Sequence, residues 1–219
     1  MRPRLAPVIL LAVTASLVAG TGAVAAVPAV LRSTESAAED LVDHALGRDR
    51  AELVATAGSL KAAASGAAPA LRRARVPATL VIDLRRRAAR AAKLAPRAPF
   101  LDVALAANAV SELMPDLYAR FRDPVPPGIL RLDYLDREAQ LRSLARQPEK
   151  VAAAVAKLER TWAPLRRRII AAGGAREVAA YQRHVAAMKR LDPRAAKRVQ
   201  TEAENGLALV DELEQVFLR

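Results

Sequence analysis

Apolar side chains recur every third or fourth residue along most of the chain, the spacing that gathers them on one face of an α-helix. The clearest stripes run over residues 103–121, 151–169, 178–191 and 199–217. No stretch alternates apolar and polar residues for long, as a half-buried strand would. The pattern therefore predicts an all-α protein, an antiparallel multi-helix bundle of about six to eight helices.

Turn and capping residues divide this pattern into separate helices. Gly47 suits the end of one helix. Asp49 suits the N-cap of the next, with Glu52 three residues later as in a capping box. Gly66 and Pro69 are predicted to break that second helix, because glycine is flexible and proline lacks an amide donor.

The N-terminal segment has the features of an export signal. Two arginines in the first four residues precede an uncharged, strongly apolar run, and the small residues Ala23-Val24-Ala25 follow. This order predicts a signal peptide over residues 1–26, cut after Ala25 or Ala26, and a periplasmic or secreted protein. The alternative is an uncleaved anchor over residues 5–31, which is long enough to span a bilayer.

Residues 34–219 are predicted to form a single helical domain, because no low-complexity linker divides them and no residue pattern recurs at a fixed spacing. The chain has no cysteine, which excludes lipidation at cysteine, thiolate metal sites and cysteine nucleophiles. Its net charge of +12 suits an anionic partner such as lipid or an envelope polymer. Nucleic acid is disfavoured as a partner, because few aromatic residues are present to stack on bases.

A proline-rich turn precedes the most polar of the predicted helices. Three prolines between residues 124 and 127 restrict the backbone and the next residue is glycine, so the chain is predicted to reverse here and begin a new helix. Along that helix Asp133 and Arg137, and likewise Glu138 and Arg142, have the i, i+4 spacing of ion pairs. The alternatives are two surface ion pairs or a partly buried polar pocket held in place by the rigid turn.

Polar residues of the preceding helix border its apolar stripe, and they would face this segment if the two helices pack antiparallel. We expect a hydrogen-bonded network here that binds a ligand or partner, although such networks are often structural. Arg137 is expected to keep Asp133 ionised, which argues against general-acid chemistry. The predicted ligand site or polar network comprises Asn108, Glu112, Asp133, Tyr134, Arg137 and Glu138.

The stretch from Pro127 to Glu138, with its Leu-Asp-Tyr-Leu-x-Arg-Glu core, resembles a string carried by uncharacterised, secreted, all-helical bacterial proteins. The similar region extends from Asn108 to about Leu144. The resemblance implies an envelope location and an α-helical fold, and it implies no particular activity.

Two histidines are the other candidates for chemistry. His44 with Asp40, and His184, are weak candidates for a metal site, since the Glu-x-x-His spacing of di-iron bundles is absent. No serine lies in a nucleophile motif, and no glycine-rich phosphate loop follows a strand.

The sequence therefore predicts no cofactor. It favours an exported, non-catalytic helical protein of the cell envelope that binds a ligand or partner through the polar cluster. Two alternatives stay open at this point. One is a metal-handling protein or enzyme that uses the histidines with carboxylates, and the other is an electrostatic binder of anionic lipid or envelope polymer.

Overall fold

A computed structural model describes residues 25–219, and the predicted all-α bundle is confirmed. Apart from one isolated bridge between Ala26 and Arg122, the regular structure of these residues is helical. The helices are α1 (Ala29–Leu46), α2 (Arg50–Arg73), α3 (Ala78–Leu94), α4 (Phe100–Ser111), α5 (Met114–Tyr118), α6 (Pro127–Leu144), α7 (Pro148–Ala171), α8 (Ala175–Arg190) and α9 (Ala196–Leu218).

The predicted signal peptide falls largely on residues 1–24, which lie outside the described residues. Ala25 and Ala26, after which cleavage is predicted, run beside the segment that leads into the proline-rich turn, and the Arg122 amide donates to the Ala25 carbonyl at 2.8 Å. In the described part of the chain, no helix combines the length and apolarity needed to cross a membrane.

The second helix is longer than its glycine and proline predict. Asp49 caps it as expected, its side chain accepting hydrogen bonds from two amides of the first turn. The helix then continues through Gly66 and Pro69 to Arg73, because the apolar face also continues and Leu71 is fully buried. At Gly66 an added Cβ would lie only 3.3 Å from the Val30 side chain, so the glycine lets α2 pack closely against α1.

The apolar stripe over residues 103–121 predicts one continuous helix, and the structure divides it in two. Helix α4 ends at Ser111, and the short α5 begins at Met114. Pro115 explains the interruption, because it has no amide hydrogen and its ring would clash with the carbonyl four residues earlier, at Ser111.

The helices form two consecutive four-helix units. In the first unit α1 packs on α2, α2 on α3, α3 on α4, and α4 closes the ring against α1. In the second unit α6, α7, α8 and α9 follow one another in the same way, and α9 closes against α6. Contacts of α4 and α5 with α6 join the two units.

The two units are a structural repeat that the residue pattern does not reveal. Helices α1 and α6 both have 18 residues, and α2 and α7 both have 24. Between helix starts, 98 positions separate Ala29 from Pro127, and 98 also separate Arg50 from Pro148. The residue pattern does not reveal this repeat because the side chains differ at most of the equivalent positions.

The connections repeat as well as the helices. Within residues 25–219, four residues have a positive φ, and they form two pairs with the same separation of 98 positions. Arg48 (φ 59°) corresponds to Arg146 (φ 54°), and Arg75 (φ 54°) corresponds to Gly173 (φ 92°). Because a left-handed residue is uncommon outside glycine, the agreement of both turns shows that the two units share one backbone plan.

Candidate functional site

A cavity of about 280 Å³ lies where the two four-helix units meet. Helices α1, α4, α5, α6 and α9 and the proline-rich turn surround it. We call it the axial cavity. It is lined by Arg32, Glu35, Ser36, Glu39, Ser111, Met114, Tyr118, Asp123, Pro124, Val125, Leu130, Asp133, Arg137, Asp211, Glu214 and Leu218.

Equivalent positions of the two units line this cavity from opposite sides. Arg32, Glu35 and Glu39 of α1 correspond, 98 positions later, to Leu130, Asp133 and Arg137 of α6. Ser111, Met114 and Tyr118 likewise match Asp211, Glu214 and Leu218 of α9, with the same steps of three and four residues but 100 positions later. In a symmetric dimer with an isologous interface, the same residues of both subunits lie on either side of the two-fold axis. Here equivalent residues of the two units line the cavity in the same manner. The cavity therefore lies on an approximate two-fold axis.

Arg137 lies between carboxylates from two helices. Its Nη1 donates to Asp133 Oδ2 at 2.9 Å and lies 3.6 Å from Glu39 Oε1 on α1. Burial nevertheless raises the pKa of Asp133 to about 6, although the charge of Arg137 opposes the rise. With a pKa of about 6 the carboxyl still ionises at neutral pH, but its pKa is raised rather than lowered, because desolvation outweighs the ion pair.

Three further carboxyls of the axial cavity have raised pKa values. Burial raises the pKa of Glu39 to about 8, with the charge of Asp133 adding to the effect and that of Arg137 opposing it. Burial raises the pKa of Glu35 to about 7, and a hydrogen bond donated by the Tyr118 hydroxyl opposes this rise. Burial also raises the pKa of Glu214 to about 7, with the charges of Asp133 and Glu35 adding to it.

Three polar side chains of the cavity have no partner among residues 25–219. Asp211 and Glu214 take part in no hydrogen bond or ion pair with another described side chain. The Ser111 hydroxyl is also without a hydrogen-bond partner, although the residue is only 5 % exposed. A buried polar group normally finds a partner, so the Ser111 hydroxyl is an acceptor that the protein itself leaves unused, whereas the two carboxylates are open to solvent.

The proline-rich turn closes one side of the cavity, and Pro124 and Val125 form part of the wall. Asp123 fixes the turn by accepting hydrogen bonds from the Arg32 guanidinium at 2.5 Å and from the Val125 amide at 2.9 Å. Arg32 in turn lies over the Tyr118 ring, 5.8 Å from its centre. The first unit thus holds the turn from which α6 starts.

The other predicted site residues lie outside the axial cavity. The Asn108 amide donates to Glu138 at 2.9 Å, and Glu138 also accepts from Arg142 at 2.6 Å. Glu112 pairs with Arg87 at 2.5 Å, and it lines, together with Tyr134, a separate surface pocket. The predicted single network is therefore divided, because successive residues of a helix point about 100° apart and only Asp133 and Arg137 face the cavity.

His184 belongs to a buried network in the second unit. Its Nε2 is 2.9 Å from an Asp136 oxygen and its Nδ1 is 2.8 Å from a Glu202 oxygen, while the Tyr181 hydroxyl donates to Asp136 at 2.6 Å. Burial alone would lower the pKa of His184, but the two carboxylates raise it above its usual value. An added Cβ at Gly206 of α9 would lie 2.6 Å from both the Asp136 carboxyl and the imidazole, so only glycine leaves room for the network.

The predicted metal ligands are not brought together. His44 and Asp40 are on α1, which packs within the first unit, whereas His184 is on α8 in the second. Asp40 accepts a hydrogen bond from Ser36 at 3.5 Å. Across residues 25–219, no three histidine or acidic side chains are arranged to hold a metal ion.

Sequence reasoning missed most of the axial cavity. Glu35 and Glu39 follow one another at i, i+4 beside the buried stripe of α1, and Glu214 adjoins the buried Leu213 of α9. Acidic residues at the edge of an apolar stripe are the signal that was available. Their convergence with Asp133 depends on the packing of separate helices, which periodicity does not define.

Comparison with known proteins adds no further assignment. No protein-family model matches the chain, and searches of curated proteins and of solved structures find no match.

Proposed function

We propose that this chain is an exported, non-catalytic binding protein of the cell envelope, and that the axial cavity binds a small positively charged molecule. One observation carries the proposal. Six carboxyl groups and two guanidinium groups line the axial cavity. Two of those carboxylates, Asp211 and Glu214, have no partner in the described structure.

The charge balance of the cavity supports a cationic ligand. With all groups ionised, its lining would carry an excess of four negative charges, in a chain whose net charge is +12. Burial makes that ionisation unfavourable, as the raised pKa values of four of its carboxyls indicate. A bound cation would compensate the carboxylates in place of protons.

A binding role is favoured over catalysis by the surroundings of the unpartnered Ser111 hydroxyl of the cavity. A serine nucleophile needs a base within hydrogen-bond reach, and the Ser111 hydroxyl has no such partner. Both ring nitrogens of His184 are engaged by Asp136 and Glu202, away from the cavity. Export is supported by the signal-peptide pattern of the sequence.

A second candidate function is electrostatic binding to anionic lipid or an envelope polymer. A groove of about 830 Å³ carries four arginines and a lysine, and we call it the arginine groove. It is lined by Arg86, Arg87, Arg90, Arg142 and Lys150 together with Asp102, Glu112 and four apolar residues. Binding to anionic vesicles that weakens steeply with salt, and that Arg90→Gln reduces while Glu214→Gln does not, would favour this function.

Native mass spectrometry of the protein recovered from the envelope of its host tests the main proposal. We expect a mature chain beginning at Ala26 or Val27 that carries the extra mass of a small molecule. The Glu214→Gln variant should lose that mass, and Glu212→Gln, an exposed change on the same helix, should retain it. A chain of bare sequence mass would refute the binding role, and an intact Met1 region would refute cleavage.

A further inference from the structure

We propose that the ligand of the axial cavity is a linear aliphatic diamine, held with one ammonium group on each side of the approximate two-fold axis. This inference rests on the proposed function and names its ligand class. It is carried by the placement of the charges, by the unpartnered acceptors of the cavity and by the apolar part of the wall.

Carboxylates approach the cavity from both units. Glu35 and Glu39 come from α1 of the first unit, and Asp133 and Glu214 come from α6 and α9 of the second. Glu35 and Asp133 occupy equivalent positions, so acceptors face each other across the axis. A ligand with a positive charge at each end could contact acceptors of both units at once, whereas a single charge would contact fewer of them.

The unpartnered acceptors match the donors of an ammonium group. An ammonium has three N–H donors and no acceptor, and it binds carboxylate and hydroxyl oxygens. The Glu214 carboxylate and the nearly inaccessible Ser111 hydroxyl supply such oxygens without any protein donor of their own. The unpartnered serine distinguishes this cavity from a cluster of acidic residues on an ordinary surface.

The apolar part of the lining suits a methylene chain. Met114, Val125, Leu130 and Leu218 contribute to the same wall as the carboxylates, and Tyr118 adds a ring. Mixed walls of this kind, with a few polar groups among apolar side chains, are typical of small-molecule sites. An aliphatic chain between two charged ends would contact both parts of the lining.

A single metal ion fits the cavity poorly. Calcium and magnesium require six or more oxygen ligands converging on one point at 2.0–2.6 Å. Within residues 25–219 no trio of potential ligands converges in this way, and the Arg137 guanidinium already lies between two of the carboxylates. The volume of about 280 Å³ approaches the lower end of the range for organic ligands.

Calorimetric titration of the protein, recovered from its host and freed of bound ligand, tests the proposal. The titrants are 1,4-diaminobutane, its homologues with three to eight carbons, butylamine, 1,4-butanediol, magnesium and calcium. We expect one diamine per chain, an optimum chain length, and binding of butylamine that is at least about tenfold weaker, because one charge-assisted contact is lost. Glu214→Gln should weaken diamine binding at least about tenfold, and Glu212→Gln should change it less than about twofold.

The outcomes separate the ligand class from the binding role. Equal binding of butylamine, or affinity that rises steadily with chain length, would overturn the diamine proposal, because neither requires two fixed ends. Binding of calcium or magnesium without diamine, lost in Glu214→Gln, would overturn the diamine and leave the proposed function standing. If no cation binds and the recovered protein has its bare mass, both proposals are overturned.

Discussion

Replacing Glu214, a half-buried carboxylate of α9, should stabilise the protein at alkaline pH. Burial and neighbouring carboxylates raise the pKa of Glu214 from 4.5 to about 7. A rise of that size corresponds to about 3 kcal/mol of unfavourable ionisation free energy. Because the side chain is partly exposed and the neighbouring carboxyls share the effect, we expect Glu214→Gln to raise the free energy of unfolding by about 1 to 2 kcal/mol at pH 8.5.

The pH dependence identifies the cause of that stabilisation. The raised pKa means that the folded protein binds more protons than the unfolded chain between pH 4.5 and about 7, so stability falls as the pH rises through this window. At pH 4, where the carboxyl is largely protonated in both states, Glu214→Gln should have almost no effect. Urea denaturation at both pH values, with Glu212→Gln as the exposed control, measures the difference. A loss of stability at pH 8.5, or an equal gain at pH 4, would refute the reasoning.

Three more predictions concern the cavity serine, the glycine beside the buried network and the buried histidine. Ser111→Ala should leave the free energy of unfolding unchanged or slightly higher in the same urea assay. Ser143→Ala removes a hydroxyl that donates to the Ala196 carbonyl at 2.9 Å, and it should lower the free energy of unfolding by about 1 kcal/mol. The reverse order would contradict the assignment of partners. Gly206→Ala should lower the free energy of unfolding by about 2 kcal/mol or more, because the added Cβ would overlap two buried side chains. Gly58→Ala, with open space around it, should stabilise α2 by about 0.5 to 1 kcal/mol. Equal effects of the two changes would rule out crowding at Gly206. NMR titration should show the His184 imidazole losing its proton above pH 6.5. Its contribution to stability is therefore present below pH 6.5 and is lost as the pH rises through the raised pKa. A midpoint below 6.5 would mean that burial outweighs the two carboxylate partners.

The sequence predicted what depends on local pattern. The 3.6-residue periodicity indicated the helices, and Asp49 indicated a helix start. The prolines before α6 indicated a start near Gly128, and the helix begins one residue earlier, at Pro127. These features are local because hydrogen bonding and side-chain direction in a helix involve residues three or four apart. The predicted pairs of α6, from Asp133 to Arg137 and from Glu138 to Arg142, form for the same reason.

What the sequence missed depends on contacts between distant helices. The continuation of α2 through Pro69 results from burial against other helices, which outweighs local propensity. The pairing of Glu39 with Arg137 joins two units almost a hundred positions apart, and no periodicity specifies it. The meeting of Asp136 with His184 also requires the glycine of a third helix, so it could not be read from the two residues alone.

The repeated backbone has a consequence for the centre of the molecule. If two identical chains packed around a two-fold axis as the two units do, every residue near the axis would face its own copy. An acid at position 39 would then face a second acid. A continuous chain removes that identity, so Glu39 on one side can face Arg137 on the other. Because the two halves belong to one chain, equivalent positions can carry different residues. A contact between two acids can therefore be replaced by an ion pair such as that of Glu39 with Arg137. The remaining acidic residues around the axis can then diverge toward recognising a separate molecule.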